Sequence, residues 1–585
     1  MSIFSELIRQ ESEFRSFAEC LADDLVRKQP LPISVNGLSG GATEAFVIEA
    51  VREARRRTPS PVVVLTPDEQ SAREVADYLS CDGLSAMRFP GRELVFHNVG
   101  ASRDVERERL FVLLELASGR LDCVVCTPDA AVGYTMPKER LLSSTVSLRL
   151  GDELSPEALS EKLSSLGFAF VDSVEGKGQF SRRGGIVDFF GGECESPVRV
   201  EFFGDEIDRM VYFDTITQRA SATCEEVTLL PALEVALDKD ARERIGAVIS
   251  RQLKKASDEG AREKLEGELA VIKSNLPVDF RDKYLSVIYP ECECLLDYLS
   301  EGRSAVILLG TSGCEESLKK SAESLSATVK SLVGAGLLSE SVAKYARDAA
   351  GFDDFSAESA AVHINSFSGG PRTSRLAGIF GFRCRRTVAY GENFRMLVED
   401  LQGLRKSGYR VVIACENKVG AQSLSASLSD EGIGTVPSYD EPPKGVASAA
   451  GGTVFVTVAD TEGYDLIISK IAILTTKKSE GRAIMANRRR QMIKRKTGGA
   501  AKRLMSYADL SVGDYVVHEN YGIGMFEGIE AVTVDGVTRD YITIAYAGTD
   551  KLLVPCDKLD LVGKYIGAHD DNGKVKLSKM GGGDW

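Results

Sequence analysis

The segment Gly37-Leu38-Ser39-Gly40-Gly41-Ala42-Thr43-Glu44 has the make-up of a loop that cradles phosphates. Its glycines let backbone amides approach an anion, and it opens a helix whose N-terminus is electropositive. A working loop adds a lysine for the phosphates and a Ser or Thr for Mg2+. Aligned on that pattern, Thr43 stands at the lysine position and Glu44 at the metal position. A carboxylate there repels phosphate, so Gly37, Gly40, Gly41, Thr43 and Glu44 read as a degenerate nucleotide loop. The apolar run ending at Leu308-Leu309-Gly310 carries no acidic pair, in keeping with that reading. The same residues spell Gly37-x-Ser39-x-Gly41, the nucleophile-elbow spacing of serine hydrolases. That fold needs earlier strands to supply an oxyanion loop, and one strand precedes Ser39. His363 as a distant base gains no support from its neighbours, so no catalytic residue is assigned.

A second group of charged side chains lies in Gly178-Gln179-Phe180-Ser181-Arg182-Arg183-Gly184-Gly185-Ile186-Val187-Asp188-Phe189-Phe190, in Pro197 to Asp208, and in Phe213-Asp214 through Gln218-Arg219. It reads as a β-hairpin that offers arginines and carboxylates on a scaffold of buried aromatics. Arg183, Arg199 and Arg219 have Asp188, Glu201, Asp205 and Glu206 at hand for exposed ion pairs, which are individually weak. Arg183 differs because Gly184 and Gly185 follow it and would let another chain approach closely. Guanidinium is also the group best shaped for interface carboxylates. A third group, Arg488-Arg489-Arg490 with Lys494-Arg495-Lys496, reads either as a solvated linker or as a nucleic-acid patch.

Positioning these groups falls to alternating elements. Leu31 to Val35 is a strand, Thr43 to Arg57 a helix with Phe46, Val47, Ala50 and Ala54 on one face, and Val62 to Leu65 the next strand, a pattern that predicts a parallel α/β layer. Hairpins with Gly-rich turns occupy 128–218, and a second α/β unit has strands at Val411–Ala414, Val454–Thr457 and Ile471–Leu474. Residues 479–504 carry nine Lys or Arg and one acid. The last stretch reads as short strands with Gly turns, hence a small β-barrel in which Val532-Thr533-Val534 and Tyr541 to Ile544 alternate as half-buried strands.

At 585 residues the chain is too long for one core and predicts about four domains. A net charge of −14 argues against broad DNA coating and favours protein partners. No apolar run reaches the roughly 18 residues of a membrane span, and Met1 to Glu6 lacks a signal peptide's basic start, so the expected location is cytoplasmic. Twelve scattered cysteines suit a reducing compartment, with Cys123-x-x-Cys126 read as buried apolar residues and no metal site expected among four distant histidines.

The 178–219 block closely resembles the domain by which UvrB and the transcription-repair coupling factors contact UvrA. A second block, Leu510 to His518, Tyr521 to Ile529, Arg539 to Tyr546 and Lys551 to Pro555, resembles the RNA-polymerase-interacting domain of the coupling factors, shared with CarD-type regulators. The two in this order resemble the transcription-repair coupling factor family. That resemblance implies a multidomain α/β and α+β chain. It divides into a UvrB-like degenerate P-loop α/β module (1–127 and 219–378), an inserted α+β UvrA-binding domain (128–218), a second small α/β domain (379–478), a basic linker (479–504) and a small SH3/Tudor-like, CarD-like β-barrel (505–585). It places Phe180, Arg183, Gly184, Gly185, Arg199 and Arg219 on the UvrA-facing surface. Where some members carry a basic residue ahead of Val171-Asp172, this chain has Ala169-Phe170. It places Ile529, Val532, Thr533 and Val534 on an edge strand that docks on the RNA polymerase β subunit. The family continues into an ATP-driven DNA translocase motor, so this chain is expected to be an N-terminal part. It would hold no cofactor of its own and act as an adaptor, ATP, Mg2+ and most DNA contact belonging to the motor. Two alternatives stay open: a UvrB-like ATP-dependent helicase, which ATP turnover would reveal, and a stand-alone CarD-like regulator.

Overall fold

The computed structural model describes residues 3–476 apart from 93, 95, 97–103, 192, 193, 195, 257, 275–277, 279, 300–302, 348–358, 366–374 and 392, and residues 501–565 apart from 504–514, 519–521, 535, 536, 547–550 and 556–561. It divides into two units, Met1–Ser479 and Glu480–Trp585.

The first unit is built on a seven-stranded sheet in the order Gly378–Gly381, Ile33–Asn36, Ala360–Asn365, Ala305–Leu309, Val62–Leu65, Cys123–Cys126, Ala86–Arg88, with parallel pairing throughout. Alternate residues of each strand serve different cores. Val63, Leu65, Val124, Cys126, Val306 and Leu308 pack on one face, while Val62, Val64, Cys123, Val125, Ala305 and Ile307 pack on the other. A sheet buried on both faces has no need of polar alternation, which is why these strands are continuous apolar runs. Cys123 and Cys126 are buried apolar positions, and desolvation pushes both thiols up.

A second sheet, ordered Cys384–Arg386, Tyr464–Leu466, Ile471–Thr475, Arg410–Cys415, Val454–Val458, Thr435–Ser438, forms the α/β unit expected at 379–478. It is not an independent bead: Val412, Ala414, Phe455, Tyr464, Ile471 and Ile473 join the same core as Ile33, Val35 and Phe46.

The inserted domain is a six-stranded sheet, Ala220–Thr223, Glu206–Phe213, Val198–Phe203, Ile186–Phe189, Gln179–Arg183, Ala169–Phe170, covered by the helix Pro156–Ser165. Its core runs from Leu148 to Ala232. The expected boundaries of 128 and 218 are therefore displaced. Ala130, Ala131, Val132, Met136 and Leu141 belong to the core of the seven-stranded sheet, and the strands Ala220–Thr223 and Glu226–Leu229 belong to the inserted domain. Leu148 pairs with Val227 across an antiparallel ladder, a long-range contact that no local pattern reports.

Entry to and exit from this domain are clamped. Glu234, fully buried, accepts from Arg109 Nε at 2.8 Å and Nη2 at 3.0 Å and from Thr135 Oγ1 at 2.6 Å. Burial alone would raise the Glu234 carboxyl, but Arg109 and Arg92 hold it below its ordinary value. Arg109 also lies 4.0 Å over the Phe89 ring.

The second unit is an antiparallel six-stranded sheet ordered Ala501–Arg503, Val562–Tyr565, Tyr515–His518, Gly522–Val534, Val537–Ala545, Lys551–Pro555. Ala501–Arg503, expected in the linker, is its first strand, and the basic cluster 488–496 lies outside the described residues.

Arg109→Ala should destabilise the first unit by about 3–5 kcal/mol, because it leaves Glu234 charged and buried without its bidentate partner. Chemical denaturation checks this, and a shift below about 1 kcal/mol would contradict the clamp.

Candidate functional site

The hairpin that carries the arginines closes in two residues, with Arg183 opposite Ile186. Gly184 has φ +61 while Gly185 is not left-handed, the pattern of a type II′ turn. A Cβ on Gly184 would meet nothing of this chain within 4 Å, so its place in the turn comes from its positive φ and the space beside it is open.

Register then sorts the side chains into two faces. Phe180, Val187, Phe189, Val198 and Val200 point at the helix Pro156–Ser165 and form the core, with Phe180 only 2% exposed. Phe180 is thus a core residue and not a surface contact, a correction to the expectation. Its alternation with Ser181 and the ladder to Phe189 require it to face inward. Arg182 shares that side and pairs with Glu157 at the start of the helix. The opposite face carries the row Ser181, Asp188, Arg199, Val211 and the row Arg183, Ile186, Glu201, Arg209.

Arg199 is committed internally. It donates to Asp188 Oδ1 and Oδ2 at 2.7 and 2.8 Å, lies 4.6 Å over Phe213, and reaches the Gln218 carbonyl at 3.3 Å. Its hydrogen bond to Asp188 raises its own pKa. Arg183 is exposed, and among the described residues its guanidinium donates to the Asp172 carbonyl at 2.6 Å. Arg219 is exposed too, but it stands beside Phe213 at the end of the sheet where Val198 begins its strand, whereas Arg183 is at the end where that strand finishes. The expected set therefore separates: Arg183, Gly184 and Gly185 form one tip, Arg219 lies at the far end, and Arg199 braces the middle.

Two residues at the Arg183 tip escaped the sequence reading. Phe203 is 81% exposed and Ile186 38% exposed, on the same face as Arg183 and Glu201. Strand alternation at Phe202-Phe203 was the available signal, since two successive aromatics cannot both face the core. An exposed aromatic beside an exposed arginine and a carboxylate is the composition of an interface anchor.

In the second unit, the strand Gly522–Val534 pairs with Tyr515–His518 only over Gly522 to Met525, and with Val537–Ala545 from Met525 to Val534. Ile529 opposes Ile542, Val532 opposes Arg539, Thr533 opposes Thr538 and Val534 opposes Val537. Beyond Met525 the other side of this strand bears no ladder among the described strands. The side chains of Ile529, Val532, Thr533 and Val534 lie outside the described residues. Val516, Phe526, Ile544 and Tyr546 are buried.

The Gly37–Glu44 loop sits between the strand Ile33–Asn36 and the helix Gly41–Arg57, with Glu44 in the first helical turn. His363, the distant base of the hydrolase reading, shares a 3.1 Å hydrogen bond between Nδ1 and Thr311 Oγ1, and burial lowers its pKa to about 4. Among the described residues, no group of three or more His, Cys, Asp or Glu is placed to hold a metal, and no helix is long and apolar enough to cross a membrane.

The UvrB interaction domain model matches residues 146–234 and the CarD-like/TRCF RID domain model matches residues 510–566. Together they define a chain that joins a UvrB-type interaction domain to a CarD-like/TRCF RID domain. Over its whole length the chain is similar to transcription-repair-coupling factors, as the sequence resemblance indicated. It is 28% identical over 600 residues to that of Bacillus subtilis (strain 168), covering 100% of this chain and 49% of the relative. For the factors of Staphylococcus haemolyticus (strain JCSC1435) and Staphylococcus aureus (strain MRSA252), identity is 24% over 595 residues and 25% over 604, covering 48% and 49% of those relatives. The chain spans about half the length of the curated relatives it matches.

Arg199→Ala should destabilise the inserted domain by about 2–3 kcal/mol, since it strands the buried Asp188 carboxylate, while Arg183→Ala should change stability by less than about 0.5 kcal/mol. Hydrogen exchange of Val198–Phe203 reads the difference, and equal protection in the two variants would contradict it.

Proposed function

We propose that this chain is an adaptor of transcription-coupled DNA repair, holding RNA polymerase through its second unit and recruiting UvrA through the inserted domain. One observation carries the reading: a UvrB interaction domain and a CarD-like/TRCF RID domain stand in one chain whose full length aligns with transcription-repair-coupling factors. The UvrA contact is the tip of Arg183, Ile186, Glu201 and Phe203, where an apolar anchor is flanked by charge. The polymerase contact is the open side of Gly522–Val534, offered to a strand of the β subunit within a sheet of SH3/Tudor-like barrel type. The Gly37–Glu44 loop is a degenerate phosphate loop. With that loop degenerate, the adaptor needs no cofactor for the two contacts. These assignments favour an adaptor over a helicase, because Glu44 stands where Mg-nucleotide would need a hydroxyl.

Arg183→Glu should abolish UvrA binding and leave polymerase binding unchanged, and Phe203→Ala should weaken UvrA binding about 10–100-fold. Arg182→Glu is the control, expected within about threefold of the unaltered chain because Arg182 pairs with Glu157 on the other face. Calorimetry with UvrA measures all three, and a damaging Arg182→Glu beside a silent Arg183→Glu would reverse the assigned face.

Val532→Arg should abolish binding to the polymerase β subunit, a charge being buried there without a partner at a cost of several kcal/mol. A pull-down together with circular dichroism checks this. A folded variant that binds normally would move the contact elsewhere.

A further inference from the structure

The three glycines of the Gly37–Gly41 loop all face the second α/β sheet, and each is needed there for a steric reason. Gly37 has φ +80, and a Cβ on it would overlap the Phe382 carbonyl oxygen. The chain beside it is tied by Phe382 N donating to Asn36 O at 2.8 Å and Cys384 N to Gly37 O at 3.3 Å. Gly40, at φ +57, would place a Cβ 2.8 Å from the Gly463 carbonyl oxygen. Gly41 is not left-handed, yet a Cβ there would lie 2.5 Å from both the Glu462 carbonyl oxygen and Thr461 Oγ1, and 3.2 Å from Tyr464 Cδ1. Gly463 is itself packed on its other side, its Cβ position being occupied by Thr387 Oγ1 with Ile473 O at 3.1 Å. The loop glycines meet these segments with no room for a methyl group.

The contact lies where a phosphate loop would hold its ligand. Two carbonyl oxygens, those of Glu462 and Gly463, stand against the first turn of the helix Gly41–Arg57, where the helix dipole favours negative charge. The rest of the segment is fastened around them. Tyr464 is fully buried, Thr461 is hydrogen-bonded to Tyr78, Arg386 donates to Glu462 Oε1 at 2.9 Å, and Phe46 stacks edge-on against Phe382 at 5.3 Å.

We propose that Thr461–Tyr464 is the resident occupant of this glycine cradle. The loop locks the 379–478 sheet onto the 1–378 module, and nucleotide is excluded by filling of the site as well as by loss of its lysine. The inference is independent of the UvrA and polymerase assignments. Only its nucleotide arm rests on the reading of the loop as a degenerate phosphate site.

Two experiments on the whole chain test it. Gly41→Ala adds only a methyl group, with no left-handed strain, and should raise amide exchange at 382–387 and 461–466 at least about tenfold while Cys123–Cys126 stays protected. Gly403→Ala, a helical glycine with nothing within 4 Å of a Cβ, should leave both segments unchanged. Exchange in Gly41→Ala equal to the unaltered chain would overturn the lock. In the second experiment, Thr43→Lys/Glu44→Thr restores the lysine and the hydroxyl, and equilibrium dialysis with millimolar ATP should still show no saturable binding. Saturable binding by that variant would overturn the filled-cradle arm and leave the degenerate-sequence reading standing, whereas failure of the exchange result would leave the nucleotide question untouched and remove the lock.

Discussion

Both crossings into the inserted domain converge on one buried carboxylate. Glu234 follows the inserted domain in the chain, Thr135 precedes it, and Arg109 belongs to a helix of the seven-stranded sheet, so their shared hydrogen bonds close both crossings onto the same support. Such a cluster adds little net stability compared with apolar packing, because two charges must be desolvated to make it. What it adds is specificity of geometry. A guanidinium held by a bidentate carboxylate, with Phe89 beneath it at 4.0 Å, fixes orientation far more narrowly than aliphatic contact would. The tip that carries Arg183 and Phe203 is thereby aimed by residues in another domain.

Continuity of the apolar core extends that constraint. The cluster containing Ile33, Val35, Val62 and Val64 also contains Val412, Phe455, Tyr464 and Ile473, so the two α/β sheets share one interior. Interiors packed to crystalline density transmit displacement instead of absorbing it. A joint packed in this way needs no ordering when either side meets a ligand, whereas a mobile one would spend binding energy on it.

On the inserted domain, the division of labour between neighbours follows from the period of the strand. Arg182 and Arg183 are adjacent and chemically identical, yet one pairs with Glu157 at the helix and the other reaches solvent on the far face. Arg199 shares Arg183's face and is nevertheless bound to Asp188 and stacked on Phe213. Exposure and prior commitment, rather than residue type, separate an arginine open to solvent from a structural one.

Much of the molecule was legible in its residues. The short apolar runs at 62–65, 123–126, 305–309, 411–414 and 454–457, rich in Val and Ile, are buried strands, as such residues pack well on a pleated surface covered on both faces. Glycine-punctuated motifs marked the UvrB-type domain and the polymerase-factor module, since local turn chemistry is written locally. The tertiary structure alone decided what depends on distant partners. The boundary of the inserted domain moved because Leu148 pairs with Val227, and Phe180 turned inward because its ladder to Phe189 faces the helix Pro156–Ser165. Phe203 turned outward because its neighbour Phe202 packs against the core. The glycines at 37, 40 and 41 have the spacing of a ligand loop, although Thr43 and Glu44 depart from it. Only the fold brings Phe382 and the segment Thr461–Tyr464 against them, because steric closeness between residues hundreds of positions apart leaves no local trace.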